Sequence, residues 1–162
     1  MNLKPTHNDL PASVRQPVVE LLQRRLVDLI DLQAHARQAH WNVKGPTFIM
    51  LHELFGTIVD GLDEPVDDVA ERIVQLGGTP SGTAQTVAKT SSLPEYPASL
   101  VSGPDHLKAV LASLATVAKS VRADVRTTDE QGDADTSDLL LGISRKLDKW
   151  VWFVESHLQG ER

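Results

Sequence analysis

Apolar residues recur at helical spacing through most of the chain, three or four positions apart, with polar residues between them. From about Leu10 to Asn42 the stripe holds Val18, Leu22, Leu26, Leu29 and Ala36. From about Pro46 to Leu76 it holds Phe48, Leu51, Phe55, Ile58, Ile73 and their helical neighbours. Pro46 suits a first helical position, where its missing N–H has no partner to lose, and Gly77-Gly78 is a C-terminal stop. A third helix starts near Pro104 and carries Leu107, Val110, Leu114 and Val121. A fourth follows "GDADTSD" and carries Leu140, Ile143, Leu147, Val154 and Leu158. No segment reads convincingly as a strand. The connector "GGTPSGTAQTVAKTSSLPEYP" is too long for a tight turn. It predicts a crossing from one end of the molecule to the other, with a short extra helix around Ala98–Val101. Short hairpin, long crossover, short hairpin describes an all-α four-helix bundle. Pro65 interrupts the second helix. An interior proline removes one backbone bond and clashes with the carbonyl four residues back, at about 3 kcal/mol. It predicts either a distortion between Gly61 and Pro65 or a mild bend absorbed by packing.

Composition narrows this picture. A chain of 162 residues is expected to form one domain, 1–162, with polar ends that fray at about 1–9 and 160–162. No uninterrupted apolar run reaches the roughly 18 residues of a membrane span, and the N-terminus lacks the basic-then-apolar layout of a secretory leader. Cysteine is absent, which excludes disulfides and thiolate ligands and is compatible with the cytoplasm. The formal net charge is −6. Nucleic-acid binders draw most of their affinity from basic groups on phosphates, and the first fourteen residues hold one Lys or Arg, Lys4. Direct DNA binding is therefore not expected. An acidic balance suits cationic ligands, metals included.

The candidate chemistry lies around "QAHWNVKGPTFIMLHE" and "VDDVAER". Asp67 and Glu71 are four apart and share a helix face, as a hard divalent ion requires. His40 and His52 flank the first turn and add imidazole nitrogen, which suits iron, zinc or manganese better than calcium. His52 and Asp67 are fifteen residues apart on one helix, roughly 22 Å at 1.5 Å per residue, against a metal–ligand bond of about 2 Å. One straight helix cannot bring them to one ion. Two copies packed antiparallel across a two-fold axis near Asp60-Gly61 can, and would make two equivalent sites. Gly56 and Gly61 lie near that crossing, where close approach of two backbones would explain them. Plainer alternatives stand beside this: a solvated carboxylate face paired with Arg72, histidines that cap or face water, and glycines that are tolerated defects.

"AHWNVKGPTFIMLHELF" followed by "VDDVAERIVQLGGTPSGT" resembles the signature of the Dps proteins, mini-ferritins named for DNA protection in starved cells. The likeness continues through "LPEYP", "DHLKAVLASL" and "DADTSDLLLGISRKLDKWVWFVESHL", so it covers nearly the whole chain. The resemblance implies a ferritin-like four-helix subunit with a short extra helix in the crossover. It implies a cytoplasmic or nucleoid-associated shell of twelve subunits built from two-fold dimers. His40 and His52 of one subunit, with Asp67 and Glu71 of its partner, would form a ferroxidase centre, with Trp41 beside it to take up stray oxidising equivalents. The family oxidises Fe(II), preferring hydrogen peroxide to oxygen, and stores ferric mineral inside the shell. Zinc would compete for imidazole-containing sites.

This chain departs from the family at Gly56, where the pattern has Asp or Glu four residues after the second histidine. The site of His40, Asp67 and Glu71 keeps its residues, while the His52 side loses an anionic oxygen. One tight metal and a weak second one are expected, with Asp60 a possible substitute ligand. The alternatives are a container with an impaired centre and a DNA-coating protein. Asp133, Asp135 and Asp138 would line an acidic pore, or else serve as helix caps. Of Trp150 and Trp152, two residues apart, one is expected in the bundle and one at a subunit contact. His7, His35, His106 and His157 are assigned to the surface or an interface.

Overall fold

The computed structural model describes residues 3–160 as six α-helices and, among those residues, no strand beyond an isolated bridge between Lys44 and Ser102. They are α1 (Ala12–Asn42), α2 (Phe48–Gly61), α3 (Asp63–Gln75), α4 (Ala84–Thr90), α5 (Gly103–Glu130) and α6 (Ala134–Gln159). α1 packs on α2, α3 and α5, and α5 and α6 form the second hairpin. The apolar stripes meet in one core, where Leu22, Leu29, Phe55, Ile58, Leu114 and Leu147 are fully buried. No helix of the described residues is long and apolar enough to cross a membrane.

α2 and α3 are one helical run broken at Leu62. Pro65 has no N–H to offer the Gly61 carbonyl. The chain responds with a tighter bond from Leu62 N–H to Val59 O, 3.2 Å, and resumes with Val66 N–H to Leu62 O, 3.1 Å. Gln33 of α1 braces the break, donating from Nε2 to Val59 O (2.9 Å) and to Asp63 Oδ1 (2.6 Å). The expected distortion between Gly61 and Pro65 is therefore present, and the neighbouring helix stabilises it.

Two turns share one design. Gly77 and Gly132 adopt φ of +88° and +83°, which residues bearing a Cβ disfavour. Each closes a helix with a pair of bonds back to the last turn: Gly78 N–H to Ile73 O with Gly77 N–H to Val74 O, and Asp133 N–H to Thr128 O with Gly132 N–H to Asp129 O.

Two expectations change. The crossover helix lies at Ala84–Thr90, not around Ala98–Val101. Thr83 caps it by accepting from Thr86 N–H, whereas Pro94 and Pro97 hold the later stretch out of helical geometry. The N-terminal segment, expected to fray, is tied down over its described part. Lys4 N–H bonds Gly77 O at 2.7 Å, Thr6 bonds Gln75 O at 3.3 Å, and Leu3 packs on the core. Residues 1, 2, 161 and 162 lie outside the described residues.

Candidate metal centre

His40 lies in the last turn of α1 and His52 begins the second turn of α2. The short turn folds the two helices back so that these rings meet face to face, with centroids 3.7 Å apart and planes 22° apart. Each ring is bonded to the other residue's backbone: His40 Nδ1 to His52 O at 2.7 Å, His52 Nδ1 to His40 O at 2.8 Å. A carbonyl only accepts, so both Nδ1 atoms carry the proton and both Nε2 atoms carry the lone pair. This is the arrangement of metal-binding histidines, whose second nitrogen is held by an acceptor that fixes tautomer and ring orientation. Both rings remain partly exposed.

Gly56 makes room for this stack. A Cβ there would stand 3.2 Å from His40 Cε1 and 3.3 Å from His40 Nδ1. Gly61 is explained just as locally, since a Cβ there would fall 2.4 Å from Trp150 Cζ2. Both glycines therefore meet rings of their own chain, and close approach of a second backbone is not needed to account for them.

Asp67 and Glu71 lie exposed on α3. Among the described residues of one chain, no three His, Asp or Glu side chains come together as a metal-binding group. The histidine pair and the carboxylate pair are thus not brought together within one chain. Around the histidines stands an exposed apolar collar: Trp41 (67 % exposed), Phe48, Ile49 (61 %) and Met50. Phe48 touches the His52 ring, with centroids 5.2 Å apart. Asp60 is exposed near the end of α2.

The acidic residues before α6 divide into two kinds. Asp133 is 1 % exposed. Its carboxylate accepts from Arg72 Nη2 at 2.7 Å, from Thr136 N–H at 3.0 Å and from Thr136 Oγ1 at 2.6 Å. It caps α6 and neutralises Arg72, itself largely buried, so it cannot line a pore. Asp135 and Asp138 are exposed.

Two histidines assigned to the surface or an interface are instead in the interior. His35 is 6 % exposed, with Nδ1 2.9 Å from Ser113 Oγ and Nε2 3.6 Å from Asp31 Oδ1. His106 is 1 % exposed and bonded to Tyr96. Burial pushes the pKa of each below its ordinary value of 6.5. Their places within buried apolar stripes, beside Leu32 and Ala36 and beside Leu107 and Val110, were the available signal. His7 is exposed and His157 partly so. Trp150 is in the core and Trp152 is 62 % exposed.

The model of the ferritin-like domain family matches residues 19–162. The DNA protection during starvation protein of Agrobacterium fabrum is 43 % identical over 159 residues, 98 % of each chain. Among solved structures, DpsC from Streptomyces coelicolor superposes with a TM-score of 0.93 at 29 % identity, covering 97 % of this chain and 92 % of that one. Mycobacterium smegmatis Dps gives 0.91 at 32 % identity, with 98 % and 94 % covered. With the bundle, the crossover helix and the paired histidines already in place, these likenesses show that the chain belongs to the ferritin-like family and, within it, to the Dps proteins.

Proposed function

We propose that this protein is a ferroxidase and iron store that protects against oxidative damage, with Fe(II) as substrate and hydrogen peroxide as the preferred oxidant. Two copies would pair across a two-fold axis so that His40 and His52 of one subunit meet Asp67 and Glu71 of the other. Six such dimers would close the twelve-subunit shell that the family likeness implies. The observation that carries the proposal is the reciprocal locking of both imidazoles, which leaves both Nε2 lone pairs free in a partly exposed pair ringed by apolar residues. A surface of that kind is suited to being covered by a partner, and the partner supplies the carboxylates that no single chain brings to the histidines.

In this arrangement the carboxylates bind the hard ion and favour Fe(III) over Fe(II). The histidines fix geometry through neutral nitrogen. Asp135 and Asp138 draw cations toward the shell by local electrostatic focusing. Zinc would compete at the imidazoles. Trp41, beside His40 and exposed, is placed to meet oxidising equivalents that escape the centre. The protein would work in the cytoplasm. Gly56 supports a narrower version: one ferrous ion held firmly per centre and a second held weakly, with Asp60, one turn beyond position 56, as a substitute ligand. A shell whose weakened centre serves only as a container, or that coats DNA, is the competing version.

Complementation tests the shared centre. His40→Ala/His52→Ala subunits and Asp67→Ala/Glu71→Ala subunits are each expected to lose peroxide-driven Fe(II) oxidation in stopped-flow absorbance. Co-expressed, half the dimers are mixed, and each mixed dimer holds one intact centre of two. Activity should return to roughly a quarter of wild type, as a two-fold isologous contact requires. No recovery in assembled mixed shells would refute the intersubunit site. Wild-type oxidation no faster than without protein would leave the container.

A further inference from the structure

A second polar cluster, formed where α1, α5 and the crossover meet, has no part in the proposed centre. Tyr96 Oη lies 2.7 Å from His106 Nδ1. His106 Nε2 is buried and makes no hydrogen bond. The Tyr96 phenol has no other hydrogen-bond partner among the described residues, so its O–H needs Nδ1 as acceptor and the ring proton stays at Nε2. Nδ1 then carries the lone pair, and the Tyr96 phenol donates to it. Burial raises the phenol pKa and lowers that of the imidazole, so at neutral pH the pair is an intact phenol against a neutral imidazole.

The pair lies close to the candidate centre. The Tyr96 ring meets the His35 ring edge-on at 5.1 Å, and His35 precedes His40 by five residues, about 7.5 Å of helix rise. Asn42, whose backbone lies beside His106, stands two residues beyond His40. Tyr96 also borders an open cavity of about 530 Å³ with Asp31, Gln38 and Glu95, which leaves it accessible to small reductants. The other oxidisable ring nearby, Trp41, is 67 % exposed, and its indole N–H has no acceptor among the described residues of this chain.

Peroxide must take two electrons to reach water, and one ferrous ion gives only one. If the second is not delivered, hydroxyl radical escapes. A centre that lacks a carboxylate at position 56 and holds one firm ion faces this deficit at every turnover. We infer that Tyr96 supplies the second electron, and that His106 Nδ1 takes the phenol proton as the electron leaves. The inference rests on the proposed ferroxidase function. In balance, hydrogen peroxide, Fe(II), the phenol, the neutral imidazole and two solvent protons give two waters, Fe(III), a neutral tyrosyl radical and imidazolium. The peroxide O–O bond and the Tyr96 O–H bond break, and an N–H bond forms at His106. The proton returns when a further ferrous ion or a small reductant restores the phenol. Tyr96 is the electron donor here and His106 a positioning residue.

Freeze-quench electron paramagnetic resonance tests this on the assembled protein, loaded with one Fe(II) per centre and mixed with equimolar peroxide. Tyr96 is the sole tyrosine in the sequence, so growth on ring-deuterated tyrosine labels it alone, without mutation. The expected result is a radical whose hyperfine splitting collapses on deuteration. Tyr96→Phe should abolish that radical and raise the hydroxyl spin-trap adduct several-fold while Fe(II) oxidation persists. His106→Gln should lower the radical yield and leave iron binding intact. A radical indifferent to tyrosine deuteration, or none, alongside normal Fe(II) oxidation would overturn the role of Tyr96 and leave the ferroxidase function standing. Fe(II) oxidation no faster than without protein would remove both.

Discussion

Asp133→Ala separates a buried structural carboxylate from a pore carboxylate. Arg72 and Asp133 are 7 % and 1 % exposed and meet at 2.7 Å. Removing the acid leaves a guanidinium with no close counter-charge inside the protein. Breaking a buried pair from one side costs about 3–5 kcal/mol, and the lost cap at Thr136 N–H contributes about 1 kcal/mol of the same order of effect. Arg72 retains Thr136 Oγ1 at 2.9 Å and Gln75 Oε1 at 3.2 Å, and Asp135 stands 4.0 Å away, mostly exposed and free to swing in. The lower end of the range, about 3 kcal/mol, is therefore expected. Asp133→Asn keeps an acceptor for the cap but loses the charge, for about 1.5–3 kcal/mol. Urea unfolding at fixed protein concentration reads both, the concentration mattering because assembly contributes to apparent stability. With a slope of about 1–3 kcal/mol/M, 3 kcal/mol moves the midpoint by roughly 1–3 M. Asp135→Ala and Asp138→Ala should leave the midpoint in place and slow iron uptake. If Asp133→Ala stayed within about 0.5 kcal/mol of wild type while uptake slowed, the buried-pair account would be wrong.

Three further outcomes are expected. Gly61→Ala places a methyl 2.4 Å from the buried Trp150 ring, which cannot yield like a flexible chain end. A loss of about 1–3 kcal/mol in thermal or urea unfolding is expected, and neutrality would mean α2 can rotate away. Gly56→Asp restores the family's carboxylate at a position where the Cβ sits 3.2 Å from His40 Cε1, so the ring need shift only by tenths of an ångström. Anaerobic Fe(II) titration should rise from one firm ion per centre to two, and an unchanged stoichiometry would refute position 56 as the missing ligand. His35 and His106 both have pKa values lowered by burial from 6.5. The unfolded chain therefore binds more protons than the folded one just below that pH. Stability is complete above pH 6.5 and falls as pH drops toward the folded values, and His35→Gln should flatten the slope of urea midpoint against pH there.

The long helices were legible because each buries a broad apolar stripe, and Pro65 announced the break at Leu62. The crossover helix was not legible. Ala84–Thr90 buries only Val87, so it has almost no periodic signal, and its start is marked by one threonine cap in a connector full of threonine and serine. Asp133, Asp135 and Asp138 look alike in sequence. What distinguishes Asp133 is Arg72, sixty-one residues earlier and brought beside it only by the packing of α3 on α6. The locking of His40 and His52 was equally hidden, since it depends on carbonyls near a helix end and a helix start that the turn brings together.

The glycines carry the last step. Spacing put Gly56 and Gly61 near a two-fold crossing; His40 and Trp150 of the same chain stand beside them, so the glycines need no second backbone to explain them. Exposed at helical intervals along α2 and α3 are Ile49, Glu53, Asp60, Asp67 and Glu71, a face that takes in position 56, three residues after Glu53 and four before Asp60. The apolar collar and His52 lie toward one end of this stripe and the carboxylate pair at the other, with Asp60 midway. A two-fold contact sets each patch against the other end of its own copy. A stripe with apolar residues and imidazoles toward one end, and carboxylates at the other, is self-complementary in just that sense. The midpoint of that stripe and the midpoint of the His52–Asp67 spacing both fall near Asp60, so the proposed two-fold axis is expected there.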